Sequence, residues 1–322
     1  MYYLPQVKVK AMAELNRRRE RAERECEERR ADALSRIPGL KELEDKISSA
    51  CTELCRVIGM GDEAVALFDK IRAENLQAQE EEKRLLKAHG LAADTMRLRY
   101  TCPVCEDSGF DERGRFCRCH RQLLKDLEHE RLGELFPIDD YTFDAFSLAY
   151  YPKPAREAMG GILEYCKTYA RDFDDCNPSL FFYGETGLGK THLSGAIINE
   201  VIKKGFGVEY GSVPLLLSRL AKERFDNRAE NITERALLAA DLLVLDDLGA
   251  ESANGFTAEL LYTLINTRLL KRLPTIINSN CTQRELEERY GRRIASRLLY
   301  DGYEAFHFSG KDIRQQKTGN QE

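Results

Sequence analysis

The sequence predicts an α/β fold over its C-terminal half, a parallel sheet flanked by helices, preceded by an α-helical N-terminal region and a small cysteine module. Three observations carry this expectation. Apolar runs alternate with helical patterns from Ala155 onward; a glycine loop stands between one such run and a helix-forming stretch; and four of the ten cysteines fall between positions 102 and 119.

The glycine loop is Gly184-Glu-Thr-Gly-Leu-Gly-Lys190-Thr191, a match to G-x-x-x-x-G-K-[ST] in its proper setting of strand, loop and helix. Gly184, Glu185, Thr186, Gly187, Leu188 and Gly189 form a backbone cradle whose N–H groups converge on phosphate at the positive end of the following helix. Lys190 adds a point charge there, Thr191 supplies a hydroxyl ligand for Mg²⁺, and His192 completes the stretch expected to touch ATP. A second motif, Leu242-Leu-Val-Leu-Asp246-Asp247-Leu-Gly, is a buried-strand pattern that ends in paired acids. Beside a phosphate loop, Asp246 reads as the second Mg²⁺ holder and Asp247 as the group that polarises attacking water.

Apolar runs at 181–183, 208–210, 242–245, 275–278 and 305–308 read as the strands. In a doubly wound sheet the ligand sits at the carboxyl ends of the strands, where both motifs fall. Toward the N-terminus, residues 7–36 interleave Arg and Glu at helical spacing. A second helix is expected at 40–57, with Leu43, Ile47, Leu54 and Ile58 near one face, and a third at 62–89. Periodicity leaves two readings of these helices open, a protein-docking arm or a solvated spacer.

Cys102-Pro-Val-Cys105 and Cys117-Arg-Cys119 bracket a short hairpin, a spacing that suits a structural tetrahedral Zn²⁺ site of four thiolates. His120 is close enough in sequence to replace one member of the second pair. Residues 122–135 read as a helix, and 137–154 as an irregular, aromatic-rich connection. Formal net charge is −5, with 49 basic residues against 54 acidic ones, so any nucleic-acid contact has to come from a local patch. No stretch has the length of a membrane span and the N-terminus lacks a signal-peptide core, so a cytoplasmic protein with reduced cysteines and no membrane partner is expected.

Four segments in this order, the loop through His192-Leu193, Asp246-Asp247-Leu-Gly-Ala-Glu251, Pro274-Thr-Ile-Ile-Asn-Ser-Asn280 and Arg289-Tyr-Gly-Arg-Arg-Ile-Ala-Ser-Arg297-Leu, resemble the ATPase domain of bacterial replicative helicase loaders. That is the DnaC and DnaI group of the AAA+ superfamily, whose ATPase type is shared by the IstB transposition helpers. The cysteine module, with its Cys-Pro-x-Cys-x-Asp-x-Gly opening, resembles one that precedes the ATPase in DnaI-type loaders. The resemblance implies an AAA+ P-loop fold and three regions: 1–95 for partner docking, 96–135 for the zinc module and a linker helix, and 136–322 for the ATPase.

It also implies residue roles. Asn280 takes the sensor 1 position, Arg297 is the finger that reaches a neighbouring subunit's ATP with Arg293 as its rival, and Arg314 is the sensor 2 arginine. The implied partners are the replicative DNA helicase, single-stranded DNA and further copies of the chain joined in the presence of ATP. Within 214–240, Arg219, Lys222, Arg224 and Arg228 recur near Phe225, as a single-strand groove requires, although Glu223, Asp226 and Glu230 dilute the charge. Many AAA+ proteins have glutamate where Asp247 stands, so hydrolysis that is slow or dependent on assembly is expected, which fits a switch better than a motor. Two rival functions stay open: an IstB-type transposition helper, and a nucleotide-binding scaffold with degenerate hydrolysis.

Overall fold

The computed structural model describes residues 2–57, 63–174, 176–225, 231–252, 255–310 and 312–313. Among them the helices are α1 (Pro5–Arg36), α2 (Leu40–Val57), α3 (Glu63–Ala88), α4 (Arg118–Gly133) and α5 (Lys153–Arg171), followed by strand β1 (Ser179–Gly184) and α6 (Lys190–Lys204). Next come β2 (Val208–Ser212), α7 (Val213–Phe225), α8 (Ile232–Ala239), β3 (Leu242–Leu248), α9 (Gly255–Leu270), β4 (Thr275–Ser279), α10 (Gln283–Tyr290), α11 (Arg292–Leu299) and β5 (Tyr303–Phe308). All five strand positions read from the sequence are strands. Packing divides the chain into two units, one of residues 1–11 with 121–322 and one of residues 12–120.

In the larger unit the strands run parallel in the order β2-β3-β4-β1-β5. This is the expected P-loop sheet, and it explains the unbroken apolar runs: a parallel sheet is covered on both faces, so both sets of alternate side chains must be apolar. Leu180, Phe182, Val244 and Ile276 join one core with Met159 and Leu163 of α5 and Ile197 and Val201 of α6. Phe181, Leu243, Leu245 and Ile277 face the other, with Leu261 and Leu264 of α9 and Ile294 and Leu298 of α11.

Fully buried Arg268 of α9 ties several segments of this second face together. It donates to Thr275 Oγ1 (2.9 Å), to the carbonyls of Leu237 (2.7 Å) and Ala240 (3.0 Å), and to that of Pro274 (2.7 Å), and burial lowers its pKa to about 10. The edge strand β2 is clipped by side chains. Glu128 accepts from Val208 N (3.2 Å) and Arg131 donates to Val208 O (2.6 Å), so two α4 side chains occupy one residue's pairing groups on an otherwise open edge. The first residues of the chain also belong to this unit: Tyr2 N donates to Asp241 (2.7 Å) and Tyr3 Oη to Gly205 O (2.6 Å).

In the smaller unit α2 packs along α3. Ala33, Ile37, Leu40 and Leu86 make one small core, and Ala50 with Ile71 another, against which Leu54 packs. Of the face expected on α2, Leu43 is buried and Ile47 half-buried, whereas Ile58 lies outside the described residues. Among the described residues, no helix is long and apolar enough to cross a membrane.

Candidate nucleotide and metal sites

The loop after β1 has the conformation its glycines permit. Gly184, Gly187 and Gly189 stand at φ 134°, 73° and 84°, and Gly189 caps α6 from the left-handed region. A Cβ at Gly184 would collide with the Phe308 carbonyl of β5, so at this position the strand packing as well as the backbone angle demands glycine. The loop is held from outside by Tyr151 Oη, which donates to Leu188 O (2.8 Å), and by Ile313 N, which donates to Gly187 O (3.0 Å). Lys190 Nζ donates to the carbonyls of Gly184 (2.7 Å) and Glu185 (2.6 Å), which keeps its charge inside the loop.

Strand β3, separated from β1 by β4, brings its acids to the same end. Thr191 Oγ1 lies 3.2 Å from Asp246 Oδ1, so the hydroxyl and carboxylate expected to hold Mg²⁺ are adjacent although 55 residues apart. Asp246 is buried, and its charge is met by protein donors. Oδ1 also accepts from Asn278 Nδ2 (2.9 Å) and Asp247 N (3.1 Å), and Oδ2 from Tyr210 Oη (2.9 Å). Asn278 Nδ2 reaches Ser194 Oγ as well (2.8 Å), which links β4, α6 and β3 beneath the loop. Asp247 is exposed, at φ 57°, in the register irregularity between Leu245 and Leu248.

Lys190, Thr191, His192, Asp247 and Asn280 line one cleft, whose other wall is Tyr141, Phe146, Ser147 and Tyr150. His192 Nε2 lies 2.8 Å from Thr142 O, and its ring is within 5.3 Å and 5.5 Å of the Tyr141 and Phe146 ring centres. Aromatic walls with a few placed polar groups are the usual lining of a small-molecule site, and this cleft has both. These aromatic residues were missed from sequence, where only the aromatic richness of 137–154 hinted at them. Asn278 and Tyr210 were missed too; a lone amide inside an apolar strand was the available signal for the first.

Arg297 does not line this cleft. From α11 it donates to Asn266 Oδ1 (3.1 Å) and Tyr262 Oη (3.3 Å), and its guanidinium lies 5.0 Å from the Tyr262 ring centre. Its rival Arg293 is exposed on the same helix, and its carbonyl accepts from Arg297 (3.2 Å). Arg314 lies outside the described residues, as do Asp226, Arg228, Glu230 and the side chain of Phe225.

In the other unit, the Sγ atoms of Cys102, Cys105, Cys117 and Cys119 all lie within 4.8 Å of one another. The Cys102–Cys117 and Cys105–Cys119 separations are 3.8 and 3.3 Å, close to the edge of about 3.8 Å that tetrahedral Zn–S bonds of about 2.3 Å require. The four thiols therefore fit Zn²⁺. Burial opposes the Cys102 thiolate, but the backbone N–H groups of Cys105 and Val104 and the neighbouring thiols bring it down to about 7. Burial, reinforced by the other sulfurs, raises Cys119.

Asp107 braces the first turn, its buried carboxylate accepting from Thr101 N (2.8 Å) and Cys102 N (3.0 Å). Gly109 is required at φ 83°, since a Cβ there would meet Leu15 Cδ1 at 2.6 Å and His120 Nδ1 at 2.9 Å. His120 is outside the thiol cluster; its ring packs on Phe116 and Phe110, with Nδ1 3.2 Å from Gly109 O.

Residues 166–302 match the family model described as IstB-like ATP binding protein. The chain is 26% identical over 167 residues to the replicative helicase loader DnaC of Escherichia coli (strain K12), covering 51% of this chain and 68% of that protein. It is 28% identical over 203 residues to the replicative helicase loader DnaI of Bacillus subtilis (strain 168), covering 57% and 63%. A crystal structure of the DnaC helicase loader aligns with a TM-score of 0.48 at 24% identity, over 54% of this chain and 99% of that one.

Proposed function

We propose, on the premise that residues 166–302 form an IstB-like ATP-binding region, that this chain is an ATP-dependent loader of the replicative DNA helicase. The observation that carries the nucleotide chemistry is the meeting of Thr191 and Asp246, 3.2 Å apart, under a glycine loop that keeps Lys190 inside it. The loop amides and Lys190 bind the phosphates of ATP, and the aromatic wall of Tyr141, Phe146 and Tyr150 takes the base. Thr191 and Asp246 hold Mg²⁺, which when bound neutralises charge on the β- and γ-phosphate oxygens. Asp247 and Asn280 orient water for attack on the γ-phosphorus, with ADP as leaving group. Arg297, directed away from its own cleft, completes the site of a neighbouring copy. ATP thereby favours association of copies, and its hydrolysis weakens the association.

The helices of the smaller unit and its Zn²⁺-held turn serve as the grip on the helicase, and the ATPase surface meets single-stranded DNA. The IstB-like match alone suits a transposition helper equally well; the named loader relatives and the cysteine module favour the helicase. Co-purification with the host's replicative helicase in ATP, in ADP and without nucleotide is the test. Capture that depends on nucleotide and on the first 120 residues is expected, with self-association in ATP that Arg297→Ala weakens. Capture of a transposase, and of no helicase, overturns the proposal.

A further inference from the structure

Asp246 is satisfied unevenly. Thr191, Asn278 and the Asp247 N–H all converge on Oδ1, while Oδ2 takes the hydroxyl of Tyr210 at 2.9 Å. A carboxylate oxygen that accepts three hydrogen bonds has no remaining lone-pair direction, so the spare acceptor capacity of this buried side chain resides on Oδ2. Tyr210 lies on the edge strand β2, beside β3, and its hydroxyl is the donor placed on that oxygen.

The tyrosine is itself fixed in place. Its ring centre lies 4.2 Å from that of Phe136, which stacks in turn on Tyr141 (5.9 Å, 23° between planes), a residue of the cleft wall. The segment carrying Tyr141 is pinned by Asn199 of α6, whose Nδ2 donates to the carbonyls of Ile138 and Tyr141, both at 2.7 Å. On the other side, β2 pairs in register with β3, with Tyr210 opposite Val244 and Ser212 opposite Asp246. A phenol held by a ring stack and a strand register is a directional donor with one position to occupy, as groups that orient metal ligands from behind must be.

We propose that Tyr210 is a positioning residue for the metal-holding carboxylate: it orients Asp246 Oδ2 for Mg²⁺ and makes the Mg²⁺-dependent part of ATP binding depend on the aromatic stack of the cleft wall. The inference rests on reading the cleft as a Mg²⁺–ATP site. Tyr210 is not among the residues that line the cleft, and its loss is felt through Asp246.

The test is calorimetric titration of ATP into the full-length chain and its Tyr210→Phe variant, over a series of Mg²⁺ concentrations and with Mg²⁺ chelated. The variant keeps the ring and its stack and removes one hydroxyl. With metal chelated, the two proteins are expected to bind ATP equally. The Mg²⁺ concentration that gives half of the metal-dependent gain in affinity is expected to rise about tenfold in the variant. An unchanged Mg²⁺ midpoint overturns the proposal, and an unchanged midpoint with a lowered melting temperature shows Tyr210 to be a structural brace only. Absence of Mg²⁺-dependent ATP binding in the unsubstituted chain removes the nucleotide reading and this inference with it, an outcome separable from failure in the variant alone.

Discussion

The nucleotide cleft and the cysteine module both gather polar groups at tight turns, but they are held together differently. The cleft stands at the end of a five-stranded sheet whose two faces are filled with aliphatic and aromatic side chains. Its buried carboxylate, Asp246, is answered by protein donors. The module has almost no apolar interior: within 101–120 the buried residues are Cys105, Asp107, Gly109, Cys117 and His120, while Val104, Phe110 and Phe116 are exposed. Its backbone is joined by the Phe110–Phe116 bridge and a few turn hydrogen bonds. The cleft is thus shaped by the sheet before any ligand arrives. The module has too little core to close itself, so a metal held by its four thiols is expected to supply what the core does not.

The sharpest way to break this comparison is to remove the metal. Chelation, or Cys105→Ser, is expected to abolish Zn²⁺ binding, a loss on the order of 10 kcal/mol for a structural site, and to open residues 101–120 to protease. ATP affinity should stay within about twofold, since the residues that line the cleft all belong to the larger unit. Protease resistance without metal would show that the turns hold themselves.

Next in size is Lys190→Ala. It removes the charge at the phosphates and is expected to lower ATP affinity by about a hundredfold, roughly 3 kcal/mol, measured by calorimetry, with little change in melting temperature. Unaltered ATP binding would move the site elsewhere. The smallest effect is expected from Asn278→Ala, which withdraws one donor from buried Asp246 and one from Ser194. A loss of about 2 kcal/mol, or roughly 4–8 °C in thermal unfolding of the larger unit, follows, with Zn²⁺ content unchanged.

The sequence made the strands legible because a parallel sheet covered on both faces leaves a continuous apolar signature, as in residues 242–245. The phosphate loop and the four thiols were legible because their chemistry requires particular residues at short spacing. What could not be read was side-chain contact between distant segments. Tyr210 looks like any strand tyrosine until β2 is laid beside β3. Asn278 is a lone amide at the end of an apolar strand, and nothing in the sequence says that it, and not Asn280, bonds Asp246. Arg268 reads as a helix-surface cation, and only the arrangement of four carbonyl and hydroxyl acceptors around it explains its burial. The first eleven residues carry no composition signal for the unit they join.

The backbone at Asp247 gives the shorter acid a reason. A left-handed angle of 57° is tolerated far better by aspartate and asparagine than by residues with longer side chains. Lengthening this arm to glutamate therefore works against the chain's own geometry, and its reach and its conformation would change together. Asparagine keeps both and deletes charge alone, so at this position it is the amide, not the longer acid, that isolates what the carboxylate contributes.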